Sequence, residues 1–140
     1  MDSNWPTEYT KLNHALHNEE VCYYLNQKKT FNDWVVTTAF YSARYFIEDK
    51  LFPLKYSNKN YMNFDTFYSD IYEYKNNSIN RHSALKILVE RHYPEIAATY
   101  RNLFDSCHNA RYSDYRIPQH MKKHALNKLE VIKQFCTKES

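Results

Sequence analysis

The chain has 140 residues, enough for one domain with a modest core. It contains no glycine, against an average usage of about 7%, which disfavours glycine-rich phosphate loops, tight type I′ hairpins and β-rich folds. A net charge of +3 permits nucleic-acid contact without arguing for it, and the widely spaced Cys22, Cys107 and Cys136 form no CxxC pair, which speaks against a zinc knuckle or a disulfide framework.

Aromatic residues make up 17% of the chain, most of them tyrosine, able to fill a core with the ring and reach water or a partner with the hydroxyl. There is no apolar run of about 18 residues, and MDSNWPTEYT lacks the charged-then-apolar pattern of a signal peptide. The expectation is a soluble, reduced, cytoplasmic protein that makes no membrane contact. No internal repeat or low-complexity linker divides the chain, so residues 1–140 read as a single helical domain.

The first helix is predicted from about Thr7 to Lys28, with Leu12, Leu16, Tyr23, Val21 and Leu25 giving a loose period of three to four. The second begins near TFND, where Thr30 with Asp33 resembles a capping box, and stops at Pro53. Trp34, Thr38, Tyr41 and Tyr45 share one face of it, while Val36, Phe40, Ala43 and Ile47 share another. A helix apolar over so wide an arc is central in a bundle.

Residues 53–77 are rich in Asn, Tyr, Ser and Lys and read as a long irregular insert, in which FDTFYSDIYEY can form a short helix. The third helix begins after Ser78 or Asn80 and covers HSALKILVERH. Pro94 suits the first turn of a fourth, PEIAATYRNLFDSCHNARY, with a core stripe of Ile96, Tyr100, Leu103 and Cys107. Pro118 opens a last helix carrying Ala125, Leu129, Ile132 and Cys136 at close to helical spacing. The predicted fold is all-α: an antiparallel four-helix bundle with an additional C-terminal capping helix and a tyrosine-rich insert between helices 2 and 3.

On the fourth helix Arg101 and His108 are two turns apart, about 10 Å along the axis, on one face offset from the core stripe. Asp105 is spaced to pair with either, and Arg111 lies one turn past His108. A histidine exchanges protons near neutral pH and an arginine grips phosphate in bidentate fashion, so such a face suits RNA cleavage without a metal. Two copies meeting across a two-fold axis would supply acid, base and two phosphate clamps.

The same residues resemble the HEPN superfamily of helical-bundle domains. Its catalytic members carry an arginine, often followed by Asn, Asp or His, and then a histidine after a short spacer, a pattern that Arg101, Asn102 and His108 match. LNHALHNEEVCYYLNQ with FNDWVVTTAFYSARYFIEDKLF is similar to the first two HEPN helices. RHSALKILVERHYPEIAATYRNLFDSCHNARY is similar to the second helical pair of small bacterial members that end this element in ARY. The resemblance spans most of residues 8–135. It implies a homodimeric bundle and, for active members, a metal-independent endoribonuclease of toxin–antitoxin or anti-phage defence systems. Arg101, Asn102 and His108 are then the catalytic candidates, and Arg111, Tyr112 and His82 the candidate contacts to RNA. No cofactor and no metal site is expected. The alternative is a non-catalytic HEPN bundle that binds RNA or docks with a protein such as a nucleotidyltransferase antitoxin or a larger defence complex.

Plainer roles also suit these residues. Arg101 can pair with Asp105 on a solvated stripe, Arg111 can complement the helix C-terminus, and Tyr112 can pack. His14 and His17 read as surface residues for want of a placed carboxylate, and Glu19 and Glu20 as a solvated face. His82 and His92 suit capping and dipole pairing, with His82 also able to line the groove. His120 and His124 beside Lys122 and Lys123 read as a basic patch. The tyrosine-rich insert can stack bases or simply cover the bundle end. Cys107, on the core stripe, is expected to be an inert buried thiol.

Overall fold

A computed structural model describes residues 8–74 and 78–138. The predicted first-helix start at Thr7 and residues 75–77 of the predicted insert lie outside the described residues. Among those described, the chain is mostly helical, with six α-helices and one two-stranded sheet.

Helix α1 spans Lys11–Asn26 and is capped by Thr10, whose hydroxyl accepts from the Asn13 N–H at 2.9 Å. Its buried residues are Ala15 and Cys22, whereas Leu16 and Tyr23 are exposed. Of the predicted apolar set, Leu12 and Leu25 are partly buried against the core, while Leu16 and Tyr23 are not part of it. The small Ala15 and Cys22 face α2 (Asn32–Leu51) because the two backbones run close together. Ser42 Oγ of α2 donates to the Ala15 carbonyl at 2.7 Å, and Cys22 Sγ donates to the Val35 carbonyl at 3.4 Å.

Helix α2 starts later than expected. Phe31, not Thr30, occupies the N-cap and makes no side-chain cap, so the predicted capping box does not form. The stop before Pro53 is as expected, since the residue preceding a proline is pushed out of helical conformation. α2 is the central element and packs against α1, α5 (Pro94–Tyr112) and α6 (Gln119–Thr137). α6 also packs on α5 and buries Ala125, Leu129 and Ile132. It is therefore part of the core and not the cap expected of it, because its apolar stripe needs both neighbours. α4 (Arg81–His92) packs beside α5 and α3 (Phe64–Tyr68). Asn80 caps α4 by accepting from the Ser83 N–H at 2.8 Å, which displaces His82 from the capping role.

Residues 54–61 form an antiparallel hairpin of β1 (Leu54–Tyr56) and β2 (Lys59–Tyr61). The absence of glycine argued against such a turn. Ser57 and Asn58 instead adopt positive φ, 48° and 65°, and asparagine tolerates this region better than most residues. Phe67 of α3 gathers Phe52, Tyr56, Tyr61 and Phe64 around it at centroid distances of 5.3–6.4 Å, and these rings extend the main hydrophobic core beneath the hairpin. The predicted short helix over FDTFYSDIYEY is present as α3, which continues as a π-helical turn over Ser69–Glu73.

The close α1–α2 contact sets an order of mutational cost. Ala15→Leu lowers the unfolding free energy by about 1–3 kcal/mol through overpacking, while Leu16→Ala changes it by less than about 0.5 kcal/mol. Urea unfolding followed by circular dichroism checks both; the reverse order would mean that α1 is turned on its axis.

Candidate functional site

Helix α5 divides its residues between two faces. Ile96, Tyr100, Leu103, Cys107 and Ala110 are buried, as the sequence stripe predicts with one further turn added. Burial raises the pKa of the Cys107 thiol, which keeps it protonated and inert. Arg101, Asn102, Asp105, His108, Arg111 and Tyr112 are all exposed. The ion pair Arg101 makes is with Glu90 of α4, at 3.7 Å, and not with Asp105. Tyr112 is 68% exposed and packs on the surface of α5, not into the core. Its ring lies 4.9 Å from that of His108 and 5.2 Å beneath the Arg111 guanidinium.

His82, His108, Arg111 and Tyr112 come together in one cleft of about 280 Å³, which Phe40, Tyr41, Asn80, Phe104 and Cys107 complete. Arg101 and Asn102 are not among its lining residues. A neighbouring cleft of about 300 Å³ is lined by His14, Asn18, Trp34, Thr37, Thr38, Tyr41, Tyr45 and Arg111. The two share Tyr41 and Arg111, which are joined by a bond of 3.1 Å from Arg111 Nη1 to the Tyr41 hydroxyl. They form one groove crossing α2 and α5. Among its described lining residues there is no aspartate or glutamate.

A larger cleft of about 950 Å³ lies over the hairpin and α3. It holds no histidine, and its Asp65 is paired with Arg81 and its Asp70 with Tyr61 and Lys59. Size alone therefore does not make it the better candidate.

His82 is fixed from behind. The buried Arg44 guanidinium donates from Nη1 to His82 Nδ1 at 3.2 Å and from Nε to Glu48 at 2.8 Å. Arginine can only donate, so Nδ1 must accept and the ring proton sits on Nε2. Burial first, and then Arg44, Lys86, Arg81 and Arg111, push the His82 pKa down to about 4. The ring is a neutral hydrogen-bond donor at neutral pH. Burial works against the Arg44 charge, but the Tyr100 hydroxyl and the Glu48 carboxylate hold its pKa above the usual guanidinium value. Lys11 of α1 also approaches Glu48, at 3.6 Å.

The remaining histidines take other places. His14 stacks on Tyr45 at 3.9 Å and its Nδ1 meets the Tyr9 hydroxyl at 2.9 Å, so it is part of the groove wall while His17 is exposed. His92 is in the last turn of α4. His120 and His124 lie edge to face at 6.1 Å, but Lys122 is buried, so the patch read around them lacks one of its cations. Among the described residues no group of three or more His, Cys, Asp or Glu is placed to hold a metal ion, and no helix is long and apolar enough to cross a membrane.

Sequence reasoning named four lining residues of the His108 cleft and missed the wall. Trp34, Tyr41 and Tyr45 were visible as one face of α2, but that face read as core. Arg44 and Glu48 at i, i+4 look like an ordinary solvated pair. Comparison with known proteins adds no relative: no family model, curated protein or solved structure matches the chain.

The Arg44 contact gives a direct expectation. In two-dimensional NMR, His82 titrates with a midpoint near pH 4 and shows the Nε2–H tautomer. Because this lies below the unfolded value of about 6.5, the unfolded chain binds more protons between these limits. Stability from this group therefore rises as pH increases from about 4 to 6.5 and is lost as pH falls through that window. A midpoint near 6.5 would mean that the ring is neither buried nor faced by these cations, and an Nδ1–H tautomer would mean that Arg44 does not donate to it.

Proposed function

We propose that this protein is a HEPN-type, metal-independent endoribonuclease, a toxin or effector in toxin–antitoxin or anti-phage defence, built as an antiparallel helical bundle that acts as a homodimer. The observation that carries this reading is the convergence of His108, Arg111 and the neutral His82 on one open cleft without carboxylates.

The chemistry suits those groups. Arg111 holds the scissile phosphate, and His82 Nε2–H donates to a non-bridging oxygen. His108 takes the proton from the ribose 2′-hydroxyl. The 2′-oxygen attacks phosphorus, the bond to the 5′-oxygen breaks, and a 2′,3′-cyclic phosphate forms. The leaving 5′-oxygen takes its proton from His108 of a second copy. Dimer formation would use the exposed stripe Arg101, Asp105, His108 and Tyr112, which falls on one side of α5 at helical spacing. That pairing would bring Arg101 and Asn102, the residues of the family pattern, toward the cleft of the partner copy.

One observation favours a second reading. Arg101 is held by Glu90 and is not among the lining residues of the His108 cleft. A non-catalytic HEPN bundle that binds RNA or a protein partner would need no more than this arrangement.

His108→Ala decides between them. The residue is exposed, so its removal leaves the thermal midpoint near wild type. It should lower cleavage of single-stranded RNA by about 100-fold or more and abolish growth arrest on overexpression. Undiminished cleavage in this variant contradicts the role of His108 in the proposed chemistry, and absence of cleavage by the wild-type dimer favours the binding module.

A further inference from the structure

The cleavage chemistry uses one half of the groove and leaves the other unexplained. α2 buries most of its surface but keeps the strip Trp34, Thr38, Tyr41 and Tyr45 uncovered or half-covered. At one end of the strip His14 lies flat on Tyr45 and closes it. At the other end Trp34 is 52% exposed, an unusual place for a large ring on the central helix. Asn18 of α1 lines the same cleft, and its side-chain amide makes no hydrogen bond among the described residues. Arg111 stands at the junction of the two clefts. One of its five N–H donors is committed to Tyr41 and its plane is steadied by Tyr112, which leaves donors for a ligand.

One cleft thus holds a planar ring, a free amide and a pre-oriented guanidinium, with no carboxylate among its lining residues, and these match the parts of one nucleotide. The ring offers a stacking face, the amide can read a base edge, and the guanidinium suits the phosphate. We propose that this half of the groove is a nucleobase subsite for single-stranded nucleic acid, with a base stacked on Trp34 and met by Asn18 while Arg111 holds the adjoining phosphate. This rests on the reading of the neighbouring cleft as an RNA site. A duplex cannot use the subsite, because its bases remain stacked on one another.

The test uses the full chain and a short 2′-O-methyl oligonucleotide, which lacks the attacking hydroxyl and so separates binding from cleavage. Tryptophan emission and oligonucleotide anisotropy are followed for the single strand and for the same strand annealed to its complement. The single strand should bind and quench emission, and the duplex should bind more weakly. Trp34→Ala should weaken binding about tenfold. Trp34→Phe should keep the affinity but lose the quench, which separates this ring from Trp5, outside the described residues. Thermal midpoints confirm that both variants fold. Binding by Trp34→Ala within about twofold of wild type, or equal binding of strand and duplex, would overturn the subsite. If the wild type cleaves RNA and Trp34→Ala still binds normally, only the subsite fails. If Trp34→Ala loses binding and no RNA is cleaved, the nuclease reading fails and the subsite stands.

Discussion

The structure turns on a buried guanidinium. Arg44 lies in the central helix, away from water, and a buried charge is tolerated only when it is paired and hydrogen-bonded. Its partners come from several elements at once. Glu48 of α2 neutralises it, Lys11 of α1 approaches Glu48, Phe64 of α3 offers a ring face at 5.6 Å, and His82 of α4 accepts a bond. Removing Glu48 would leave the buried Arg44 charge uncompensated. The Arg44–His82 bond thus ties α4, which packs on α5, to the central helix.

That placement shapes the groove. With Nδ1 occupied by Arg44, His82 presents a fixed donor to the cleft and not a titrating base. His108 is held differently: it rests between Phe104 and Tyr112 on the exposed side of α5. Two histidines in one cleft are thereby given unlike environments, one anchored from the interior and one standing on the surface. Arg111 is oriented by Tyr41 and Tyr112, both neutral, so its charge remains available to an anion. The proposed chemistry and the proposed base subsite both draw on this one side chain.

Several parts of this arrangement were legible in the residues. Pro53, Pro94 and Pro118 mark element boundaries because proline restricts the backbone locally. The α5 stripe was readable because large apolar side chains alternate with polar ones at a clean helical period. α1 was legible only in part: Leu12 and Leu25 do pack against the core, but its fully buried positions, Ala15 and Cys22, are small, so closeness of approach decides what is buried there. The capping box at Thr30 failed because the chain enters α2 through Phe31. The hairpin escaped notice because Ser57 and Asn58 replace the glycine that usually marks such a turn. Arg44 and His82 meet across 38 positions, and no local pattern reports a contact of that range.

The most direct test of the proposed chemistry is the identity of the ends produced when the wild-type protein cuts a single-stranded RNA in the presence of a strong chelator. A cleft built from His108, His82 and Arg111 predicts cleavage that continues under these conditions, leaving 2′,3′-cyclic phosphate and 5′-hydroxyl ends. It also predicts that a single 2′-deoxy substitution at the scissile position stops the cut. Products with 5′-phosphate and 3′-hydroxyl ends, or cleavage abolished by the chelator, would contradict it.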